Sequence, residues 1–489
     1  MAISTYQMLI DGAWCDAADG ARFDSANPAT GDVWSSVPEA TAQDVDRAVQ
    51  AADAALDGPW GQMTATERGK CLRRLGDLLA ENSESIGRVE TTDTGKMFKE
   101  TAWQATYIAE YLHFYAGAAD KIHGETLPID KPDMFVFTER EPIGVIAAVV
   151  PWNSQMFLSA VKIGPALAAG NTIVLKASEH ASAPLLEFGK LVAQAGIPNG
   201  VVNIVTGGAT CGKALTSHPQ VAKIAFTGGP NAARHVVRNS AENFAEVSLE
   251  LGGKSPFIVF DDANIESAVN GCVAGIFGAT GQSCVAGSRL FVHDDIADEF
   301  LEKLVHIAQN ICIGDPQDDA AEMGPLCTQG QMDHIQRQIA LAIEQGGQVL
   351  TGGKPADLAG LYFEPTIIAC ASPEMTILDT ELFGPVLTVQ RFKSEDQVVA
   401  MANDTVHGLA AGIFTRDSAR SIRMSMLVKA GIVWVNTYRA ISPIAAFGGV
   451  KSSGYGREAG MQAVYAYTRP KTVWMNLSDD PIANPFKMR

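Results

Sequence analysis

Four short stretches of this chain carry side chains able to do covalent chemistry. Gly281-Gln282-Ser283-Cys284 sets one thiol beside small residues, where a substrate can reach it and backbone N–H groups can surround it. A thiolate is a strong nucleophile, but an unperturbed cysteine, with a pKa of about 8.5, is mostly protonated at neutral pH. The thiol therefore needs an oxyanion donor and a base. Pro151-Trp152-Asn153 offers an amide that can donate to a developing oxyanion, or else cap the following helix. Glu250-Leu251-Gly252-Gly253-Lys254 offers a carboxylate beside a flexible Gly pair, suited to a base needed at one stage only, or an ordinary strand-end charge. Glu381-Leu382-Phe383-Gly384-Pro385 pairs a carboxylate with an aromatic, able to hold a sugar hydroxyl and a flat ring, or forms a plain helix-to-strand turn.

The elements that must position these groups are legible from pattern. Residues 1–30 read as an irregular arm with a short strand and turn at IDGAW. Ala42 to about Ala119 is helical in period, opening on a Thr cap. KIHGETLPIDKPDMFVFTEREP alternates and contains breakers, as a hairpin-like excursion would. From Ile143 onward, buried runs (GVIAAVV, NTIVLKAS, VVNIVTG, VAKIAFTGG) alternate with helices, which predicts a doubly wound parallel α/β sheet. Such a sheet binds ligands at the carboxyl ends of its strands. A second α/β unit follows, in which IESAVNGCVAGIFGATGQSC is predicted as a helix running up to Cys284. RPKTVWMNL reads as a last exposed strand.

Composition narrows the partners. The 489 residues are 47% hydrophobic and 19% charged, which suits a soluble protein of several domains. A net charge of -18 argues against nucleic acid and anionic membranes, both of which it repels. No basic, then apolar, leader opens the sequence, and no apolar run is long enough to span a bilayer. The 8 cysteines form no C-x-x-C pair and lie at no zinc spacing with His, so reduced cytoplasmic thiols and no metal site are expected.

Taken together and in order, PWN, the Lys-x-x-Glu of LKASE, FTGG, ELGGK, GQSC, ELFGP and FGGVKSSGYGREAG resemble the aldehyde dehydrogenase superfamily, from about IDGAW to about KTVWMN. The resemblance implies oxidation of an aldehyde to a carboxylic acid with reduction of NAD. Cys284 becomes the nucleophile, Asn153 and the Cys284 backbone N–H the oxyanion hole, and Glu250 the activator of the water that hydrolyses a thioester. It also implies that Lys176 and Glu179 hold the adenosine ribose, Glu179 repelling a 2′-phosphate and so favouring NAD over NADP. Thr227, Gly228 and Gly229 then approach the pyrophosphate, with Trp152 and Leu251 nearby. Glu381 holds the nicotinamide ribose and Phe383 lies beside the ring. GGATCG at 207–212 mimics a dinucleotide fingerprint imperfectly and carries no weight here.

By the same resemblance, Phe157, Leu158, Val161, Ser283, Val285, Ile441 and Phe447 line the aldehyde tunnel, although core packing explains several of them equally well. Where many relatives have an aromatic and Pro after PWN, this chain has Ser154 and Gln155, and Val161 stands where many carry Trp. An aromatic cage for a quaternary ammonium is thus poorly furnished, and the expected aldehyde is small to medium without high charge. Two rivals remain. One is an enzyme that passes the acyl group to coenzyme A, against which Glu250 speaks; the other is a non-catalytic protein on the same fold. The implied architecture is a Rossmann-like cofactor domain (1–121 and 141–251), a catalytic α/β domain (252–465), and a small β oligomerisation element (122–140 and 466–489) that supports a homodimer or homotetramer.

Overall fold

A computed structural model describes residues 3–482 and 484–487. Its first sheet is built on β1 (Met8–Ile10), β2 (Ala13–Cys15), β3 (Val145–Val149), β4 (Thr172–Ala177), β5 (Val202–Thr206), β6 (Val221–Gly228) and β7 (Glu246–Leu251). The strands lie in the order β7-β6-β3-β4-β5-β1-β2, and β7 through β5 are parallel. The near-continuous apolar runs of β3, β4 and β5 are buried almost throughout, because helices cover both faces. The chain starts in the centre at β3, moves out through β4 and β5, then returns to the other side of β3 as β6. That reversal opens a crevice at the carboxyl ends of β3 and β6.

The second sheet holds β8 (Pro256–Val259), β9 (Arg289–His293), β10 (Gln348–Thr351), β11 (Thr366–Ala369), β12 (Val386–Phe392), β13 (Ala410–Phe414) and β14 (Ile432–Val435). Its order is β10-β11-β12-β9-β8-β13-β14, parallel except for the β10–β11 pair. β7 and β8 are separated only by the GGKS turn, so the ELGGK motif is the hinge between the two sheets. Late in the chain, strand Gly454–Tyr455 crosses back to pair with β7, placing Gly454 opposite Glu250. The helix that follows, Gly460–Tyr465, packs its Val464 into the core of the first unit.

Three expectations change. The N-terminal arm is ordered: Asp11 and Gly12, with φ of 52° and 73°, turn a tight hairpin whose β1 joins β5. A three-stranded sheet of Ser4–Thr5, Val33–Pro38 and Arg22–Ala26 lies beside it. The excursion is more than a hairpin: Thr126 bridges antiparallel to Phe137 within it, and it also joins the tail. Its strand Met134–Pro142 pairs antiparallel with the tail strand Thr468–Asn476 along their whole lengths, making a two-stranded ribbon. Finally, the helix before Cys284 stops at Ile276, and the chain passes Ala279, Thr280 and Gly281 in left-handed conformation (φ 54°, 56° and 69°).

Candidate active site

The carboxyl ends of β3, β6 and β7 are adjacent, and each carries one of the singled-out stretches. β3 ends into Trp152 and Asn153, β6 into Thr227–Gly229, and β7 holds Glu250 and Leu251. Loops from the second unit close over them by backbone contacts that only glycine permits. A Cβ on Gly253 would lie 2.7 Å from the Cys284 carbonyl oxygen, and one on Gly281 would lie 2.1 Å from the Gly384 carbonyl oxygen. The ELGGK, GQSC and ELFGP turns therefore stack directly on one another.

They enclose a cavity of about 460 Å³. Trp152, Asn153, Leu158, Thr227, Gly228, Gly229, Glu250, Leu251, Cys284, Glu381 and Phe383 all line it. The Asn153 amide donates to the Gln282 carbonyl at 3.0 Å, tying the oxyanion candidate to the nucleophile's own loop. Gln282 is a strut in turn, accepting from the Cys327 N–H at 2.8 Å. Trp152 and Phe383 meet edge to face with centroids 5.5 Å apart.

Burial pushes the Cys284 thiol up to about 12; the carboxyls of Glu381 and Glu250 add to this, while Arg439 and the cysteine's own N–H oppose it. The sulfur thus rests as a thiol. Both oxygens of Glu250 are buried without a hydrogen-bond partner among the described residues. Its pKa is raised well above the usual carboxylate value, first by burial and then by Glu458, against Lys162 and Arg457. A Cβ on Gly448 would lie 2.5 Å from Glu250 Oε1, so that glycine keeps the carboxyl's space open. Glu381 is raised to about 7 by burial, partly offset by the Gly253 N–H, which donates to it at 3.0 Å, and by Lys254.

Other expected residues lie elsewhere. Lys176 and Glu179 are outside this cavity and pair with each other at 3.2 Å, beside the helix that begins at Ala209. The Thr227 hydroxyl turns inward and accepts from Lys162 Nζ at 2.7 Å. Phe157 packs edge-on against Tyr111, and Val161 is buried in the core of the first unit, away from the cavity lining. Val285 is buried with Leu409, Ala410 and Trp434, with Cys284 and Phe447 at the edge of that cluster. Ser283 is partly exposed, and the Ile441 carbonyl accepts from Tyr107 Oη at 2.7 Å.

Sequence reasoning missed Gln331 and His334, which line the cavity from helix Gln329–Glu344, and the buried Lys162–Glu458 pair beside Glu250. A lysine in the otherwise apolar run QMFLSAVKIGPALA was the available signal for the pair.

The family model described as "Aldehyde dehydrogenase family" matches residues 14–473. This chain belongs to the aldehyde dehydrogenase family. It is 55% identical over 487 residues, 99% of each chain, to the (Z)-2-((N-methylformamido)methylene)-5-hydroxybutyrolactone dehydrogenase of Acinetobacter baylyi. It is 42% identical to aldehyde dehydrogenase 1 of Tanacetum cinerariifolium, covering 97% of this chain and 96% of that one. Among solved structures, the NAD+ complex of the aldehyde dehydrogenase from Bacillus cereus superposes with a TM-score of 0.96 at 40% identity, covering 97% of both chains. NAD-dependent oxidation of an aldehyde is the reaction of this family, and this chain is an aldehyde dehydrogenase that uses NAD.

The cavity suits that cofactor. Nothing lies within 4 Å of where a Gly229 Cβ would sit, so a phosphate can approach the open N-terminus of helix Pro230–Asn239. The buried Glu381 carboxyl lines the same cavity.

Proposed function

We propose that Cys284 carries the reaction covalently and that Glu250 completes it with water, so that the product is a free carboxylic acid. The observation carrying this reading is the convergence of Cys284, Asn153 and Glu250 on one cavity from three separate stretches of chain. Bound NAD supplies the hydride acceptor. Cys284 Sγ adds to the aldehyde carbon as the thiol proton passes to the aldehyde oxygen, giving a thiohemiacetal whose oxygen the Asn153 amide and the Cys284 N–H stabilise. Losing one such donor costs roughly 10²–10³ in rate. Once the carbon has given up its hydride and the hydroxyl its proton to solvent, the acyl group is a thioester on Cys284. Glu250, once ionised, takes a proton from water as that water attacks the thioester carbon, and the sulfur leaves. A carboxyl whose pKa burial raises fits this role, because it is a stronger base toward water than an ordinary exposed carboxylate.

Trp152, Leu251, Thr227, Gly228 and Gly229 shape the cofactor cleft in this reading, and Lys176 and Glu179 hold the adenosine ribose, disfavouring NADP. The two sheets serve as cofactor and catalytic domains, and the ribbon pairs subunits into a dimer or tetramer. A cytoplasmic location follows from eight free cysteines.

Cys284→Ala is the direct test of the nucleophile. It should form no NADH from any aldehyde while retaining NAD affinity in a binding titration; turnover at the parental rate would remove Cys284 from the mechanism.

A further inference from the structure

On the far side of Asn153 from the cofactor cleft lies a polar cluster that the oxidation chemistry does not use. Lys96, only 3% exposed, donates from Nζ to Ser154 Oγ at 2.8 Å and to Gln104 Oε1 at 3.0 Å. Its nearest carboxylate is Glu100 Oε1, at 3.9 Å. The same Oε1 stands 3.9 Å from Arg439 Nη2 and accepts from Gln104 Nε2 at 3.1 Å. Glu100 therefore faces two cations and contacts neither closely, while the buried Glu90 carboxyl also lies within the influence of Lys96.

Arg439 is the cation with capacity to spare. Its side chain is three-quarters buried, and its one hydrogen bond among the described residues runs from Nη1 to the Ala274 carbonyl at 3.2 Å. A guanidinium has five N–H donors in a fork that fits a carboxylate bidentately. The group lies over Gly278, where a Cβ would come within 2.5 Å of Nη1, on the turn that leads to the nucleophile. The loop is held in place on both sides of Arg439. Tyr438 Oη donates to the carbonyl of Val285, next to Cys284, at 2.9 Å, and Trp434 Nε1 donates to the Ala440 carbonyl at 2.8 Å. Arg439 itself has a φ of 59°, a conformation that costs energy for a side chain of this size. Its charge reaches the sulfur, being the one cation that opposes the upward shift of the Cys284 thiol.

An aromatic ladder leads in from solvent beside it. Exposed Trp103 stacks on Tyr107 (5.1 Å, 9°), Tyr107 meets Tyr111, and Tyr111 meets Phe157. The ladder can pack against the carbon skeleton of a substrate whose charged end reaches the guanidinium.

We propose that Arg439, helped by buried Lys96, is a receptor for a carboxylate at the far end of the substrate, so that the preferred aldehydes are semialdehydes of dicarboxylic acids. This rests on the Cys284 reading above and narrows the small to medium aldehyde without high charge expected from sequence to one that carries a single carboxylate.

The test compares kcat/KM for succinic and glutaric semialdehydes with that for their methyl esters, on the full chain with saturating NAD. Both substrates are read on one preparation, so loss of folded enzyme cancels in the ratio. Acid over ester should favour the acid by roughly 10-fold or more in the parent. The preference should reside in KM and weaken as salt rises. Arg439→Gln should bring the ratio near one, and Arg439→Lys should recover part of it. Glu100→Gln, which removes the competing carboxylate, should raise it. A parental ratio near one, or a ratio unmoved by Arg439→Gln and Glu100→Gln alike, overturns the receptor while leaving aldehyde oxidation standing. No NADH from acid or ester overturns both readings.

Discussion

At the scale of single residues, the chemistry depends on groups that are costly to bury. Glu250, Glu381 and Cys284 all have pKa values raised by burial, which disfavours the charged form of each. Their identities were legible because each sits in a short motif next to glycine. The Lys162–Glu458 pair was not, because its members are 296 positions apart and neither stretch signals the other. Arg439 was passed over because a single arginine in a loop belongs to no local motif. One further role rests on a single side chain. Glu179 pairs with Lys176, which, against burial, keeps its carboxyl below the usual carboxylate range and therefore charged at neutral pH. Its negative charge should repel a 2′-phosphate, so Glu179→Ser is expected to lower the NAD-to-NADP ratio of kcat/KM by roughly 10-fold or more. A ratio that does not move would place the ribose contact elsewhere.

At the scale of elements, turns rather than strands set the geometry. The apolar runs of β3 to β6 predicted the parallel sheet well, since buried strands need little beyond hydrophobic length. The path into Cys284 was missed, because small residues with helical period gave no sign of three left-handed residues in a row. That conformation is imposed by tertiary contacts, such as the Thr280 Oγ1 hydrogen bond to the Gly324 carbonyl at 3.0 Å. The Gly252 turn has the opposite character, its spacing being set by what lies against it. A Cβ there would stand 1.8 Å from Glu381 Oε2. Gly252→Ala should push that carboxyl out of the cofactor cleft. Overpacking of this kind costs about 1–3 kcal/mol, so KM for NAD should rise by roughly 10-fold or more while the melting transition stays cooperative. An unchanged KM would mean that Glu381 makes no contact with the cofactor.

For the whole molecule, the exposed ribbon is the feature that a monomer leaves unexplained. Its two strands, Met134–Pro142 and Thr468–Asn476, join neither large sheet, and they carry exposed Phe135, Trp474 and Met475. Unpaired edges and apolar side chains together invite pairing with a second copy. The tail strand was visible in sequence as RPKTVWMNL, and the family resemblance grouped it with the excursion, but the register was not legible, since pairing between segments so far apart leaves no local trace. Trp474→Glu is expected to shift the mass measured by light scattering from a multiple of 51.9 kDa toward the single chain. A parent that already runs as one chain, or a variant that assembles as before, would move the interface off the ribbon.

The central claim is that oxidation and hydrolysis are separate steps on one sulfur, with Glu250 needed only for the second. Rapid mixing of Glu250→Gln with NAD and aldehyde measures this most directly. The account predicts a burst of one NADH per active site, then steady turnover slower by roughly 10²-fold or more as the thioester waits for its base. Continuous NADH formation at the parental rate, or a variant that shows no burst although it binds NAD, would contradict it.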